Sequence, residues 1–188
     1  STGKYDASRV VAVAGSEVEK PRYVKALMGA SIKSLVDGNL KSGLSRIISG
    51  NVLTGQHVAA DSYLGFYHYQ VTVIPEDEEM EFLGWIAPGF NKFSLSRTFF
   101  SWLTPNKKYA LGTNNHGEHR AFVMSGQYDK VFPMDILPVY LVKAIMVGDI
   151  ELMENLGIYE VAPEDFALCE FACTSKTNVQ DIVREGLD

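Results

Sequence analysis

Val10-Val11-Ala12-Val13-Ala14-Gly15, followed by Pro21-Arg22-Tyr23-Val24-Lys25-Ala26-Leu27-Met28, decides how the first part of this chain folds. Val10 to Ala14 and Arg22 to Met28 are short strand-like runs, and Gly15 and Pro21 mark the turn between them. Ser31 stands at a helix N-cap position, so the pattern predicts a short helix over Ile32 to Val36 that ends near Gly38. A further apolar run, Arg46 to Ile48, precedes Gly50 and Gly55. Strand, turn, strand, helix, strand is the order of a β-grasp. With a helical tail after Pro133, the class is α+β.

Outward from that block, Gly65 to Ile74 alternates Tyr67, Tyr69, Val71 and Val73 with His68, Gln70 and Thr72. Period two predicts one strand with its Tyr/Val face buried and His68 on the polar face. Glu76-Asp77-Glu78-Glu79 with Glu81 lacks the alternating oxygen ligands and glycine turn of a hard-cation loop, so it reads as a solvated turn. Residues 82–103 carry Phe82, Trp85, Phe90, Phe93, Phe99, Phe100 and Trp102 with Arg97 among them. Most of these rings are expected in the core of a small mixed β region. The alternative is that Trp85, Arg97 and Trp102 form a docking surface, since Trp and Arg anchor interfaces. Tyr109 to Gly112 and Arg120 to Met124 flank the polar turn Asn114-Asn115-His116-Gly117, which predicts a hairpin. His116 and His119 lack a third ligand nearby in sequence, so they read as turn residues.

From Pro133 the signals are helical. Asp135 is the expected cap of a helix with Pro138 in its first turn, running through Leu141 and Ile145 to Gly148. Asp149 caps a short helix ended by Gly157, Pro163 opens another, and Asn178 caps the last. Three parts result: 1–75 as the β-grasp module, 76–132 as a β-rich middle region with the hairpin, and 133–188 as a bundle of short helices. Both cysteines lie in the last part, in Phe166-Ala167-Leu168-Cys169-Glu170-Phe171-Ala172-Cys173-Thr174. A bacterial-type iron–sulphur run is C-x2-C-x2-C-x3-C-P. Cys169 and Cys173 reproduce only its final C-x3-C step. Thr174 replaces the proline, and Phe166 and Pro163 occupy the two preceding ligand positions. Two thiolates cannot hold a four-iron cluster. A structural zinc needs four ligands, and the spacing of the pair suits a disulfide poorly. The thiols therefore read as small buried hydrophobes beside Phe166, Leu168 and Phe171, with neighbouring acids raising their pKa values.

The net charge of −6 is uneven. Residues 149–188 hold ten acids against two bases, whereas 82–148 hold seven bases against three acids. No basic run or aromatic RNA motif is present, which argues against nucleic-acid binding. The Val131 to Val147 stretch is too short and too interrupted to span a bilayer. The opening Ser1-Thr2-Gly3, without an initiator Met, reads as the start of a piece cut from a longer protein, and no signal peptide is visible in it. No phosphate-binding glycine loop and no nucleophile–base set can be assembled.

Several ordered segments carry a wider resemblance: Lys20-Pro21-Arg22-Tyr23-Val24, Arg46-Ile47-Ile48-Ser49-Gly50-Asn51-Val52-Leu53-Thr54-Gly55, and Leu83-Gly84-Trp85-Ile86-Ala87-Pro88. Further on come Gly117-Glu118-His119-Arg120-Ala121, Met134-Asp135-Ile136-Leu137-Pro138, and Glu164-Asp165-Phe166-Ala167-Leu168-Cys169. The chain resembles the C-terminal part of the A subunit of the Na+-translocating NADH:quinone oxidoreductases. The related iron–sulphur subunit of Rnf complexes carries full cysteine sets in the equivalent region. The resemblance implies a soluble-ligand-binding β-grasp module and a C-terminal bundle resembling a degenerate ferredoxin-like helical domain. It implies a peripheral subunit on the cytoplasmic face of the bacterial inner membrane, partnered by the other subunits of the complex. That complex oxidises NADH, passes electrons through flavins and iron–sulphur centres, reduces ubiquinone and exports Na+. The residues themselves show no flavin, nicotinamide or cluster motif, so no cofactor is expected on this piece. A quinone contact is a partner that the resemblance allows without placing it. The alternatives are a small-ligand-binding β-grasp module and a pure scaffold.

Overall fold

The computed structural model describes residues 3–77, 84, 86, 88–95, 97–116 and 118–188. The chain divides into two compact units, Ser1–Asn114 and Asn115–Asp188. The class is α+β, as expected.

In the first unit five strands form one mixed sheet: β1 (Ser8–Ala14), β2 (Arg22–Leu27), β3 (Ser45–Ser49), β4 (Gln56–His57) and β5 (Gln70–Pro75), in the order β2-β1-β5-β3-β4. β1 pairs antiparallel with β2, bringing Val11 opposite Val24, and parallel with β5, bringing Val13 opposite Val71. β3 runs antiparallel to both β5 and β4. The helix α1 (Ile32–Val36) supplies Ile32, Leu35 and Val36 to a core that also holds Val11, Val13, Val71 and Val73. Each such side chain contributes roughly 1.5–3 kcal/mol by leaving water. Gly15 is required where β1 ends. Its φ of +122° suits glycine, and a Cβ there would strike the Val73 carbonyl. Nearby, the buried Asn39 amide donates to the Lys20 carbonyl at 2.9 Å and accepts the Lys20 N–H at 3.0 Å, satisfying both backbone groups after the β1 turn.

Two expectations fail in this unit. The strand predicted from Gly65 is confined to β5. Residues before Gln70 turn instead, with the His68 N–H bonded to the Gly65 carbonyl at 3.0 Å. Tyr67 is 84% exposed and Tyr69 is also exposed, so their face is not buried, while Thr72 is. Within β5 the successive residues Val71, Thr72 and Val73, which alternate between the two faces of the sheet, are all buried, so both faces are covered there. The Thr72 hydroxyl meets this by donating to the Gly50 carbonyl at 2.7 Å. The predicted hairpin and β region beyond Pro75 also do not form. Among the described residues of 76–132 there is no strand, only single-turn 3-10 helices at Phe100–Leu103 and Tyr128–Lys130. The two would-be hairpin arms are tied elsewhere. Thr113, just beyond one arm, bonds Glu76 and the Asp77 N–H, and the Arg120 N–H bonds the Ser175 carbonyl at 2.9 Å.

The second unit packs α2 (Pro138–Val147), α3 (Ile150–Asn155), α4 (Ala167–Ala172) and α5 (Val179–Leu187) around Leu141, Val142, Phe166, Cys169, Val179 and Val183. Gly148 ends α2 in a left-handed conformation with φ 71°, and the Asp149 carboxylate caps α3 by accepting the Leu152 N–H at 3.0 Å. Asp135 does not cap α2. Leu137 occupies that position, and Pro138 sits in the first turn, where its missing N–H costs nothing. Asn178 stands at the N-cap of α5 without a side-chain capping bond.

Candidate functional site

The described residues of 84–109 form an aromatic surface rather than a core layer. Phe90, Phe93, Phe100 and Trp102 are exposed, Trp102 by 51%. The Phe100–Leu103 turn buries Ser101 and leaves Phe100, Trp102 and Leu103 facing water. Phe90 and Phe100 lie 5.8 Å apart between ring centres, and Phe93 meets Tyr109 edge-on at 5.6 Å. Two lysines are fixed among these rings. Lys92 Nζ donates to the Gly84 carbonyl at 2.6 Å and sits 5.5 Å from the Phe99 centroid. Lys107 Nζ donates to the Phe90 carbonyl at 3.0 Å and to Asn91 Oδ1, and lies 6.0 Å from the Tyr109 centroid. Each cation thus faces the negative side of a ring. The core assignment of most of these rings is therefore corrected for those described. Buried side chains here would need a partnered layer, and among the described residues of the unit no strand follows β5.

Of the three residues expected to dock, Arg97 and Trp102 are exposed, and Arg97 adopts a left-handed backbone with φ 56°. Trp85 lies outside the described residues, as do Phe82 and Glu78 to Glu81. At the base of the surface, Arg46 holds Glu76 in a two-bond clamp at 2.6 and 2.7 Å, and Thr113 adds a third bond at 3.0 Å. The Arg46 guanidinium holds the Glu76 carboxyl below its ordinary pKa.

The thiols occupy the second unit's core. Cys169 is fully buried on α4, with its thiol 4.0 Å from the Tyr128 carbonyl. Burial pushes its pKa up to about 12, helped by Asp129 and Cys173. Cys173 differs. Burial raises its thiol, but the Tyr128 hydroxyl and the Thr177 and Ser175 N–H groups outweigh that, and its pKa is lowered. The expectation that both thiols are raised is thus corrected for Cys173, because backbone donors converge on its sulphur; the Thr177 N–H reaches it at 3.4 Å. The buried Tyr128 hydroxyl meets no acceptor at normal hydrogen-bond geometry, although it and Cys173 shift one another's acidity. Geometry makes this a polarising contact rather than a formed bond. Phe166 is fully buried against Phe132, ring centres 4.7 Å apart, whereas Leu168 and Phe171 are largely exposed and do not cover the thiols.

His68 Nδ1 lies 2.7 Å from the buried Ser49 hydroxyl oxygen, which also accepts the Gly65 N–H at 3.0 Å. This bond ties the 65–69 turn to β3, a structural role. His119 lines a shallow cleft of about 540 Å³ together with Arg120, Phe122, Asp181, Ile182 and Glu185. Among the described residues no three His, Cys, Asp or Glu side chains gather as a metal site. Sequence reasoning missed the ring-bound lysines, whose signal was Lys92 and Lys107 interleaved with aromatics. It also missed Tyr128 beside Cys173, for which no local signal exists at 45 residues' separation.

Residues 10–60 match the family model described as the NQRA C-terminal domain. Over its full length the chain is 44% identical to the A subunit of the Na(+)-translocating NADH-quinone reductase of Serratia proteamaculans. It is 43% identical to that of Vibrio anguillarum over all 188 residues, and 43% identical to that of Rhodopirellula baltica over 99% of the chain. The resemblance read from the sequence therefore holds throughout. The chain spans 42% of the Serratia and Vibrio proteins and 41% of the Rhodopirellula one.

Proposed function

We propose, from a similarity to these A subunits that runs the length of the chain, that this protein is the C-terminal part of one of them. It serves the Na+-translocating NADH:quinone reductase as a structural and assembly element. The observation that carries the reading is 44% identity over all 188 residues, aligned to 42% of the relative. In this reading the whole complex oxidises NADH, reduces ubiquinone and exports Na+, with flavins and iron–sulphur centres held elsewhere in it. The protein is peripheral, on the cytoplasmic side. Among the described residues no helix is long and apolar enough to cross a membrane.

The three-part division at 75/76 and 132/133 and the β-grasp identity of the first part belong to the same proposal. The succession β1, β2, α1, β3 supports the β-grasp, and the family match at 10–60 supports its soluble-ligand-binding type. The helical unit does not fit a cluster. Its two thiols lie in a packed core, and Phe166 fills a position where a ligand would stand. Trp85, Arg97 and Trp102 are the proposed contacts to a neighbouring protein of the complex, supported by the exposure of Arg97 and Trp102.

The test is a bacterium lacking its own A subunit, given one whose C-terminal part is replaced by this chain. Membranes should recover Na+-stimulated, NADH-driven quinone reduction. A chimera present at normal level but giving an inactive or unassembled complex overturns the reading.

A further inference from the structure

α2 is apolar nearly all the way round: among Pro138-Val139-Tyr140-Leu141-Val142-Lys143-Ala144-Ile145-Met146-Val147 only Lys143 is charged. One side is used inside the unit, where Val139, Leu141, Val142 and Ala144 are buried. The other is not. Val147 is 77% exposed and Tyr140 is 50% exposed, and a seven-residue spacing puts them on one line of the helix. Leu137 before the helix, Met146 within it and Ile150 at the start of α3 are exposed as well. An all-round apolar helix normally has cover on every side, and a contiguous apolar patch on a protein surface marks an interaction site.

Charge narrows what covers it. The unit carries thirteen acids against five bases over residues 115–188. Asp149, Glu151 and Glu154 follow directly on the patch, where the negative end of the α2 dipole also lies. An anionic lipid surface would be repelled, and a second copy of this chain would set like charges against each other. A protein segment that is apolar and flanked by Lys or Arg is attracted on both counts. Membrane-embedded proteins present such segments at their cytoplasmic helix ends and loops.

We propose that the Tyr140–Val147–Ile150 face docks an apolar, Lys/Arg-flanked segment of a membrane-embedded partner protein. The proposal rests on the functional reading above and adds a contact separate from Trp85, Arg97 and Trp102. Its test uses the full-length A subunit carrying this chain, with two probes. One is the detergent-purified complex stripped of its own A subunit, and the other is protein-free vesicles of phosphatidylserine and phosphatidylcholine. The unsubstituted protein should bind the stripped complex, more weakly as NaCl rises, and should not bind the vesicles. Val147→Asp and, separately, Ile150→Asp should weaken binding at least tenfold with unchanged circular dichroism, both side chains being exposed. Glu151→Lys should weaken it less and flatten the salt dependence. Equal binding by the unsubstituted protein and both Asp variants sinks the proposal and leaves the functional reading standing. Vesicle binding lost on Val147→Asp, or a patch-dependent dimer in ultracentrifugation, replaces the proposed occupant and overturns it too. If the unsubstituted protein ignores the stripped complex, the functional reading itself falls, and this proposal with it.

Discussion

The two units differ in their aromatic side chains: none of those described in the sheet unit is buried, whereas the helical unit, though it too exposes Tyr140 and Tyr159, buries two. The sheet unit has an aliphatic core of Val11, Val13, Ile32, Leu35, Val71 and Val73, while Tyr23, Tyr67, Tyr69, Phe90, Phe100 and Trp102 are exposed. The helical unit buries Tyr128 and Phe166 completely or nearly so and packs Phe122 and Phe132 against them. Short strands and a five-residue helix leave a thin interior that β-branched side chains fill. Longer gaps between short helices need rings. Aromatics in the sheet unit are thus free to serve as surface, where rigid rings with little entropy to lose make good contact groups.

The sharpest way to break this contrast is Phe166→Ala. A fully buried ring against Phe132 should cost about 3–5 kcal/mol, enough to unfold a marginal unit. Urea unfolding followed by far-ultraviolet circular dichroism measures it. A loss under about 1 kcal/mol would mean the helical core is not built around its rings.

In the sheet unit the corresponding weak point is polar. Thr72→Val keeps shape but strands the Gly50 carbonyl between covered faces, so a loss of roughly 1–3 kcal/mol is expected. The same change at an exposed threonine such as Thr174 should be silent. If Thr72→Val is also silent, the hydroxyl's bond to the Gly50 carbonyl adds nothing and that face of β5 is open to water.

The thiols give a pH signature to the helical unit alone. An acid whose folded pKa is raised binds its proton more tightly when folded, so stability is lost as pH climbs from the unfolded value toward the folded one. For Cys169 that window runs from the ordinary thiol range to about 12, with a slope approaching 1.4 kcal/mol per pH unit. Cys173 works the other way. Its lowered pKa adds stability above the unfolded thiol value, and that contribution is lost as pH falls through its folded one. Comparing urea midpoints at pH 8 and 10 in the unsubstituted protein and in Cys169→Ala should show a shallower decline in the variant. Identical slopes would remove Cys169 from the account.

What was legible in the sequence was local. α1 falls at Ile32–Val36 as expected, β1, β2 and β3 overlap their predicted runs, and Asp149 caps α3 because capping needs only a residue and the N–H three places on. What was not legible depended on distant neighbours. Period two in Gly65 to Ile74 signalled a strand with one buried face, but Val71, Thr72 and Val73 are buried on both faces of β5, and Tyr67 and Tyr69 lie exposed before it begins. Local spacing likewise suggested that both thiols were raised, whereas the lowering of Cys173 depends on Tyr128 together with local backbone donors. Composition marked Trp85, Arg97 and Trp102 as either core or interface, and no periodicity could choose.

Trp102→Ala carries the smallest expected effect on stability and makes that choice. Half its surface already faces water, and its own turn is closed by the Thr104 N–H to the Ser101 carbonyl at 3.1 Å, which the substitution leaves intact. The unfolding free energy should stay within about 0.5 kcal/mol. Incorporation of the full-length protein into the quinone reductase, read by co-purification, should nevertheless fall, because a tryptophan with half its surface in water is the kind of side chain that anchors protein interfaces. Arg97→Ala should act in the same direction and more weakly. Should Trp102→Ala instead unfold the chain as Phe166→Ala does, the ring is core, and the sheet unit would no longer differ from the helical one in where it keeps its aromatics.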